Sequence, residues 1–379
     1  MERIVLIGPV YPYKGGISHY TSLLYRALAK KYSVEMISYK MQYPKLLFHK
    51  EQKDFDNDMF RIENTKFWIH TANPVNIAKV ASKIKEMKPD LVILEWWHPY
   101  FAPCYWILAK CLGDLKKLFI CHNVFPHERF PLDKKLTKMT LKQGNCYIVQ
   151  SKQDEKDLKT ILEHPIYERA VHPTYNAFKF EGMSKVRGRE SLKINPEEKI
   201  MLFFGFVREY KGLKHLIKAM PMIKKELSNV KLLIVGAFGE DKQDYLTLIN
   251  ENQVGDVIEM YDGYIPDREI EKYFAACDLV VLPYESATQS GIVQIAYGFE
   301  KPVVVTNVGG LPDVVTDGRT GYVVEACNPE KLAEAVIRFY EDGMGQVFEE
   351  GVRKEAYRFS WDRLVEVVER MEAKRKDRR

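Results

Sequence analysis

Short apolar runs alternate with longer amphipathic segments along almost the whole chain. Runs such as 4–8, 200–206 and 279–283 are apolar nearly throughout, which is typical of strands buried on both faces. Segments such as 17–31 and 213–227 carry apolar residues at helical spacing instead. Strands and helices that alternate in this way predict an α/β protein with doubly wound parallel sheets.

One polar segment interrupts the alternation and suggests a domain boundary. At 379 residues the chain is too long for one ordinary core, so we predict two doubly wound, Rossmann-like domains. The predicted division is 1–180 for an N-terminal domain, 181–198 for a linker and 199–358 for a C-terminal domain. The remainder, 359–379, is predicted as a helix with a basic tail, and the helix is a candidate to pack back on the N-terminal domain.

Composition and charge restrict the cellular location and the binding partners that we expect for the chain. The chain is 46% hydrophobic and carries a net charge of +5, which does not indicate nucleic acid but suits an anionic ligand or an anionic membrane surface. It begins with a predicted strand rather than a signal peptide, and no apolar run approaches the roughly 18 residues of a membrane span. Six scattered cysteines have no zinc-site spacing and suggest reduced thiols. We expect a cytoplasmic protein, peripheral to the inner face of the membrane at most.

Two segments allow alternative interpretations. The aromatic stretch 96–117 ends in lysines and could lie at a membrane interface, but burial against the first sheet explains it equally well. The acidic run Asp54-Phe55-Asp56-Asn57-Asp58 has the composition of a metal-binding loop. However, no buried strand precedes it, and the Gly and Glu of a calcium-binding hand are absent, so we predict a solvated loop and no metal site.

A candidate anion site lies in the C-terminal half. The buried strand 279–283 is followed by a polar loop and then by a helix that begins at Ser290 and Gly291. Free amide groups and the positive end of a helix bind phosphate, and a glycine allows the phosphate to approach the backbone. Earlier in the same domain, the loop GFVREYKG presents Arg208 and Lys211, whose two cations can converge on one anion. Together these segments predict a diphosphate site.

Polar residues also follow the predicted strands of the N-terminal half. Gly15 and Gly16 come directly after the first strand, with His19 close behind. His122 follows a later buried strand, at the carboxyl edge where α/β enzymes hold their ligands, and we predict a catalytic or substrate-binding role for it. Trp97 and His98 end another strand, where they could contact a sugar or pack in the core.

The chain resembles the retaining glycosyltransferases of family 4, which have the GT-B arrangement of two Rossmann-like domains facing across a cleft. The resemblance covers nearly the full length and rests on nine motifs in the expected order. These are PYKGGISH, FICHNVFPHE, IVQSKQDEKDL, HPTYN, GFVREYKGLKHLI, LLIVGAFG, DGYIP, SATQSGIVQIAYGFEKPVV with NVGGLPDVV, and FSW.

The resemblance implies a hexosyltransferase that uses a nucleoside diphosphate sugar, retains the anomeric configuration, and needs no divalent metal or other cofactor. Its acceptor would be a hydroxyl group of a glycan, a lipid or a small molecule. By the same resemblance, Arg208 and Lys211 hold the diphosphate and His122 contacts the donor sugar. The other implied donor-binding residues are Gly15, Gly16, Gly205, Tyr264, Ile265, Glu285, Gln289, Ser290, Gly291 and Ile292. The acceptor-side candidates are His19, Trp97, His98, Asn123 and His127.

One departure from the family pattern keeps other functions open. The family's two glutamates fall on Ala287 and Ile295, neither of which can form a carboxylate hydrogen bond. The alternatives are a non-catalytic nucleotide-sugar-binding protein and a GT-B sugar-nucleotide epimerase. A nicotinamide dehydrogenase is disfavoured because the first strand is not followed by GxGxxG.

Overall fold

The chain folds into two compact units, each built on a parallel sheet. The computed structural model describes residues 1–44, 51–55, 58–126, 130–239, 241–287 and 290–374. Unit 1 comprises Met1–Val171 together with the chain from Trp361 onward, and unit 2 comprises His172–Ser360.

Unit 1 contains a seven-stranded parallel sheet with helices packed against it. Its strands are β1 (Arg3–Ile7), β2 (Ser33–Met41), β3 (Lys66–His70), β4 (Leu91–Trp96), β5 (Lys117–Cys121), β6 (Cys146–Val149) and β7 (Tyr167–Arg169). They pair in the order β3-β2-β1-β4-β5-β6-β7. The helices that follow these strands are α1 (Gly16–Ala29), α2 (Pro74–Glu86), α3 (Ala102–Leu112), α4 (Asp133–Leu141) and α5 (Lys152–Ile161).

Unit 2 repeats the same strand order in a six-stranded parallel sheet. Its strands are β8 (Lys199–Phe204), β9 (Val230–Val235), β10 (Ile258–Tyr261), β11 (Leu279–Leu282), β12 (Val303–Thr306) and β13 (Gly321–Val324), paired in the order β10-β9-β8-β11-β12-β13. Its helices are α6 (Lys185–Ser191), α7 (Leu213–Glu226), α8 (Lys242–Glu251), α9 (Asp267–Ala276), α10 (Gly291–Gly298), α11 (Leu311–Val314), α12 (Pro329–Glu341) and α13 (Gly345–Glu355).

The apolar runs form strands because both of their faces are covered. In β1, Val5 and Ile7 pack into one hydrophobic core, whereas Ile4 and Leu6 pack into a second core. Alternate side chains of a strand point to opposite faces, so a strand that is covered on both sides must be apolar throughout. The predicted doubly wound α/β class is therefore confirmed for both units.

The last helix, α14 (Trp361–Ala373), belongs to unit 1 although it follows unit 2 in the sequence. Its buried side chains, which include Val368 and Met371, join the core that contains Ile4 and Leu6. The Arg370 guanidinium also donates hydrogen bonds to the carboxylate of Glu168. The chain thus returns to its first sheet at the end.

The segment 181–198, predicted as a linker, lies within unit 2 instead. It contains α6, where a Cβ added at Gly188 would lie 2.9 Å from the backbone nitrogen of Ala276, so the helix packs closely on α9. Arg189 is buried and donates hydrogen bonds to the Ala276 carbonyl and to the Asp278 carboxylate, each at 3.1 Å. The units therefore divide after residue 171, and the Arg189 side chain has its hydrogen-bond partners within unit 2.

The aromatic stretch 96–117 is mostly core. Trp96, Phe101 and Tyr105 are completely buried, and α3 packs against the first sheet. The structure thus favours burial over a membrane interface for these side chains. Within the described ranges, no helix combines the length and the apolar character that crossing a membrane requires.

Candidate functional site

The central strands of unit 2 bring two predicted loops together. Strands β8 and β11 are neighbours although β9 and β10 come between them in sequence, so the strand order reverses at this point. The Glu285 amide donates a hydrogen bond to the Tyr210 carbonyl at 2.7 Å, which joins the loop after β11 to the loop after β8. A Cβ at Gly212 would lie 2.0 Å from the Pro283 carbonyl oxygen, so only glycine allows this approach. Open α/β sheets bind ligands at such reversal points.

Lys211 lies in this loop junction with only 9% of its surface exposed. Its Nζ would be 3.0 Å from a Cβ placed on Gly205, and the same Cβ would be 3.5 Å from Ile292 Cδ1. Its ammonium also lies 5.9 Å from the centre of the Tyr284 ring. Within the described residues, no carboxylate forms an ion pair with Lys211. Glycine at 205 therefore leaves space beside a buried cation.

The electrostatics of Lys211 reflect this environment. Burial, reinforced by the nearby Arg208 guanidinium, lowers the pKa of Lys211 to about 8. Arg208 itself is exposed and precedes the short helical turn that contains Lys211. A buried lysine whose charged form is disfavoured by burial and by a second positive group indicates a site arranged for an anion.

The N-terminus of α10 lies beside this cation pair. The Ser290 hydroxyl accepts a hydrogen bond from the Ile292 amide at 3.3 Å and lies 3.3 Å from the Tyr284 hydroxyl. Of the three predicted amide donors, that of Ile292 is therefore engaged in the helix cap. The amides of Ser290 and Gly291 make no hydrogen bond to any part of the chain that the structure describes. These two amides remain for an anion at the positive end of the helix.

The remaining residues predicted to bind the nucleotide sugar differ in whether they already have partners within the chain. The Glu285 carboxylate lies 2.9 Å from Lys214 Nζ and 2.8 Å from His215 Nε2, and the Lys214 contact, followed by that of His215, lowers the pKa of Glu285 despite some burial. Tyr264 and Ile265 lie in the loop after β10, where Tyr264 is exposed. Gln289 lies outside the described residues.

The two positions that lack the family glutamates are both resolved. Ala287 is half-buried in the loop before α10, and Ile295 is buried on that helix. The neighbouring Gln294 is also buried, and its Oε1 has no hydrogen-bond partner within the described ranges. No carboxylate therefore replaces the missing pair at those two positions.

In unit 1, His122 pairs with a carboxylate that the sequence did not single out for this role. His122 follows β5, and its Nε2 lies 2.6 Å from Oε2 of Glu95, which is near the end of β4. Glu95 is completely buried, and its burial raises its pKa while the His122 contact opposes that rise. The edge of the Tyr20 ring packs on the His122 ring at 4.5 Å between centroids. The sequence signal that could have indicated this pair is Glu95, a charged residue inside the otherwise apolar strand β4.

A second buried carboxylate, Asp154, stabilises the segment that follows His122. Its Oδ1 accepts a hydrogen bond from the Val124 amide at 2.8 Å, and its Oδ2 accepts one from the Ser151 hydroxyl at 2.6 Å. Burial raises the pKa of Asp154 to about 6, and the hydrogen bonds from Ser151 and Val124 oppose the rise. Asp154 thus anchors the backbone next to His122. The sequence did not single out Asp154 for any role.

The other predicted residues of unit 1 lie at the carboxyl edge of its sheet. Gly15 caps α1 and Gly16 begins it, while the His19 ring packs against Phe60. Trp97 donates a hydrogen bond to the Tyr43 hydroxyl at 3.4 Å, and His98 accepts one from the Tyr100 amide at 3.1 Å. Asn123 is half-buried beside His122, and His127 lies outside the described residues.

One group of potential metal ligands occurs among the described residues. Donor atoms of His215, Glu285 and Cys327 lie within 4.8 Å of one another. Lys214 already forms an ion pair with the same Glu285 oxygen that contacts His215. The Glu285 carboxylate is therefore neutralised without a metal. The loop that carries Glu285 connects these three residues to the anion site.

Comparisons with known proteins agree with this geometry. Residues 185–359, all within unit 2, match the model of the family described as glycosyl transferases group 1. An uncharacterized glycosyltransferase of Methanocaldococcus jannaschii is 29% identical over 231 residues, which are 60% of this chain and 56% of that protein. A D-inositol 3-phosphate glycosyltransferase of Segniliparus rotundus is 28% identical over 202 residues, or 51% and 43% of the two chains. The chain therefore spans about half the length of the curated relatives it matches.

Solved structures resemble the chain over its full length. HepE of Anabaena, in complex with UDP, superposes with a TM-score of 0.73 at 18% identity and covers 100% of both chains. Sucrose-phosphate synthase of Thermosynechococcus elongatus superposes with a TM-score of 0.71 at 19% identity and covers 99% of both chains. The chain thus has the fold of the GT-B glycosyltransferases, and its residues 185–359 match the model of the glycosyl transferases group 1 family.

Proposed function

We propose that this protein transfers a hexosyl unit from a nucleoside diphosphate sugar to an acceptor hydroxyl, with retention of the anomeric configuration. One observation carries the proposal: Lys211 is a buried cation with no carboxylate partner in the described chain, and it lies beside Arg208 and the N-terminus of α10. A buried charge is unfavourable unless it is paired. A diphosphate would supply the missing partner.

The same groups suit the chemistry of glycosyl transfer. When the bond between the anomeric carbon and the diphosphate oxygen breaks, negative charge grows on the leaving diphosphate. Lys211, Arg208 and the amides of Ser290 and Gly291 would stabilise that charge more strongly in the transition state than in the bound donor. Because these donors neutralise the leaving group, we propose that no divalent cation is required. Turnover that persists after chelation with EDTA would support this part, and turnover abolished by EDTA would contradict it.

The nature of the donor is proposed from structural neighbours. HepE has been crystallised with UDP and with UDP-glucose. We therefore choose UDP and UDP-glucose as the first probes of this chain. We propose a hydroxyl compound as the acceptor, and we propose that His122 takes part in substrate binding.

Calorimetric titration tests the proposal. We expect UDP to bind more tightly than UMP or uridine, because the second phosphate gives Lys211 and Arg208 more charge to contact. Lys211→Ala should weaken UDP binding about 10- to 100-fold, since a charge-assisted hydrogen bond contributes about 1.5–3 kcal/mol. Lys218→Ala, which removes an exposed lysine of α7, serves as the matched control and should leave the affinity unchanged. Equal binding of UDP, UMP and uridine, or an unaffected Lys211→Ala variant, would refute the proposed site.

A binding protein without turnover is the second candidate, because Ala287 and Ile295 supply no carboxylate. Release of UDP from UDP-glucose, measured with a panel of sugar and lipid acceptors, separates the two functions. Acceptor-dependent release supports transfer, and NMR of the product reports whether configuration is retained. Tight binding with no release from any nucleotide sugar would favour the binding protein.

A further inference from the structure

Glu95 and His122 form a hydrogen-bonded pair whose side chains are closely packed by their neighbours. Glu95 is 0% exposed, and a Cβ added at Gly8 would lie 2.8 Å from its Cγ, so the backbone directly after β1 packs closely against the Glu95 side chain. Its Oε2 lies 2.6 Å from His122 Nε2, whereas its Oε1 has no hydrogen-bond partner in the part of the chain that the structure describes. The carboxylate therefore has one strong contact, and that contact is the imidazole.

The ring of His122 is fixed by its neighbours. Tyr20 packs against it edge-on, and the Tyr20 hydroxyl accepts a hydrogen bond from Gln150 at 2.9 Å. Another buried carboxylate of this unit, Asp154, accepts hydrogen bonds from the Val124 amide and the Ser151 hydroxyl. Among the described residues Glu95 is therefore the carboxylate partner of the ring, and Nε2 is the nitrogen that it engages.

The other ring nitrogen is the one left to a ligand. His122 is 8% exposed at the carboxyl edge of the sheet, and its Nδ1 makes no hydrogen bond to the described residues. A neutral imidazole carries its proton on one nitrogen only, and the hydrogen bond made by that nitrogen sets the tautomer. An ionised Glu95 can only accept a hydrogen bond, so it requires the proton on Nε2.

We propose that Glu95 is a positioning residue that holds His122 in the Nε2–H tautomer, so that Nδ1 accepts a hydrogen bond from a substrate hydroxyl. This inference rests on the proposed function, because the hydroxyl belongs to the donor sugar or to the acceptor. A serine protease triad uses a buried carboxylate on a histidine for the same purpose. In this chain the carboxylate comes from the neighbouring strand β4, 27 residues before the histidine.

The tautomer can be measured without any ligand. The nine histidines of the full chain are labelled with 15N, and the His122 signals are assigned by their loss in His122→Ala. Two-bond correlations between ring protons and nitrogens distinguish the tautomers. We expect Nε2–H in the wild type at neutral pH and a mixture of tautomers in Glu95→Met, which has similar size but no acceptor. Nδ1–H or a charged ring in the wild type, or an unchanged tautomer in Glu95→Met, would overturn the inference.

Kinetics separate positioning from general structural support. With UDP-glucose and an acceptor found active in the screen above, Glu95→Met should lower kcat about 10- to 100-fold, as loss of an orienting partner does elsewhere. Its Kd for UDP should not change, because the proposed diphosphate site lies in unit 2. The double variant Glu95→Met/His122→Ala should be no slower than His122→Ala, because Glu95 acts through the ring. Additive losses would contradict the inference.

The two possible sources of the hydroxyl give different kinetics. If it belongs to the donor sugar, Glu95→Met should slow acceptor-free hydrolysis of UDP-glucose together with transfer. If it belongs to the acceptor, only transfer should slow. Both results support the inference, whereas unchanged rates of both reactions would refute it. Failure of UDP to bind would instead reject the proposed function and leave the NMR test of the Glu95–His122 pair decisive.

Discussion

Replacement of Lys211 by methionine should stabilise the protein while it weakens nucleotide binding. In the folded chain the pKa of Lys211 is lowered to about 8 from 10.5, so burial of its charge is unfavourable. The interval between these values corresponds to about 3 kcal/mol, because each pKa unit equals about 1.4 kcal/mol. Methionine has a similar length and no charge, so Lys211→Met should recover on the order of 1–3 kcal/mol of unfolding free energy.

The sign of this effect depends on pH in a defined way. Below about pH 8 the lysine is charged in both the folded and the unfolded chain, and the full penalty applies. Between about pH 8 and 10.5 the unfolded chain keeps a proton that the folded chain has released, so wild-type stability rises with pH in this window. The advantage of Lys211→Met should therefore be largest below pH 8 and shrink above it.

Two assays measure the opposite effects. Differential scanning calorimetry at pH 7 should show the unfolding transition of unit 2 raised by roughly 2–4 °C for each kcal/mol gained. Titration with UDP should show an affinity lowered about 10- to 100-fold. A variant that melts at a lower temperature than the wild type would mean that Lys211 stabilises the fold, and the argument for a functional buried cation would be refuted.

Three further predictions address neighbouring features. UDP affinity should fall as the pH rises through about 8, because Lys211 loses its proton there. Titrations of the wild type and of Lys211→Met with UDP from pH 6.5 to 9.5 test this, and the variant should lack the change. Gly212→Ala should destabilise unit 2 by more than about 1 kcal/mol, since its Cβ would lie 2.0 Å from the Pro283 carbonyl; chemical denaturation measures the loss, and wild-type stability would contradict the close approach. Met371→Ala should destabilise unit 1 by about 2–5 kcal/mol, because this α14 side chain is completely buried, and a change below 0.5 kcal/mol by the same assay would show that α14 is not part of the core.

The sequence predicted the features that depend on local pattern. The apolar runs around Ile4, Ile200 and Leu279 all lie in or next to buried strands, because a strand covered on both faces must be apolar along its length. The helix start at Ser290 was predictable because a serine cap is a local motif. Lys211 could be predicted as a site residue from its loop, but its burial could not, since neighbours such as Tyr284 and Ile292 are distant in the sequence.

Features that depend on long-range pairing were missed or misplaced. Glu95 and His122 are 27 residues apart, and only the adjacency of β4 and β5 brings them together. The segment 181–198 looked like a linker because its composition is polar, yet Arg189 within it is buried on carbonyl and carboxylate partners. Composition reports which groups need hydrogen bonds, but it does not report whether protein or water provides them.

A crystal structure of the chain with bound UDP tests the central claim most directly. The account predicts that the diphosphate contacts Lys211 Nζ and the amides of Ser290 and Gly291, with the Arg208 guanidinium turned towards the same phosphates. A nucleotide bound elsewhere in the chain, with Lys211 still lacking an anionic partner, would contradict it.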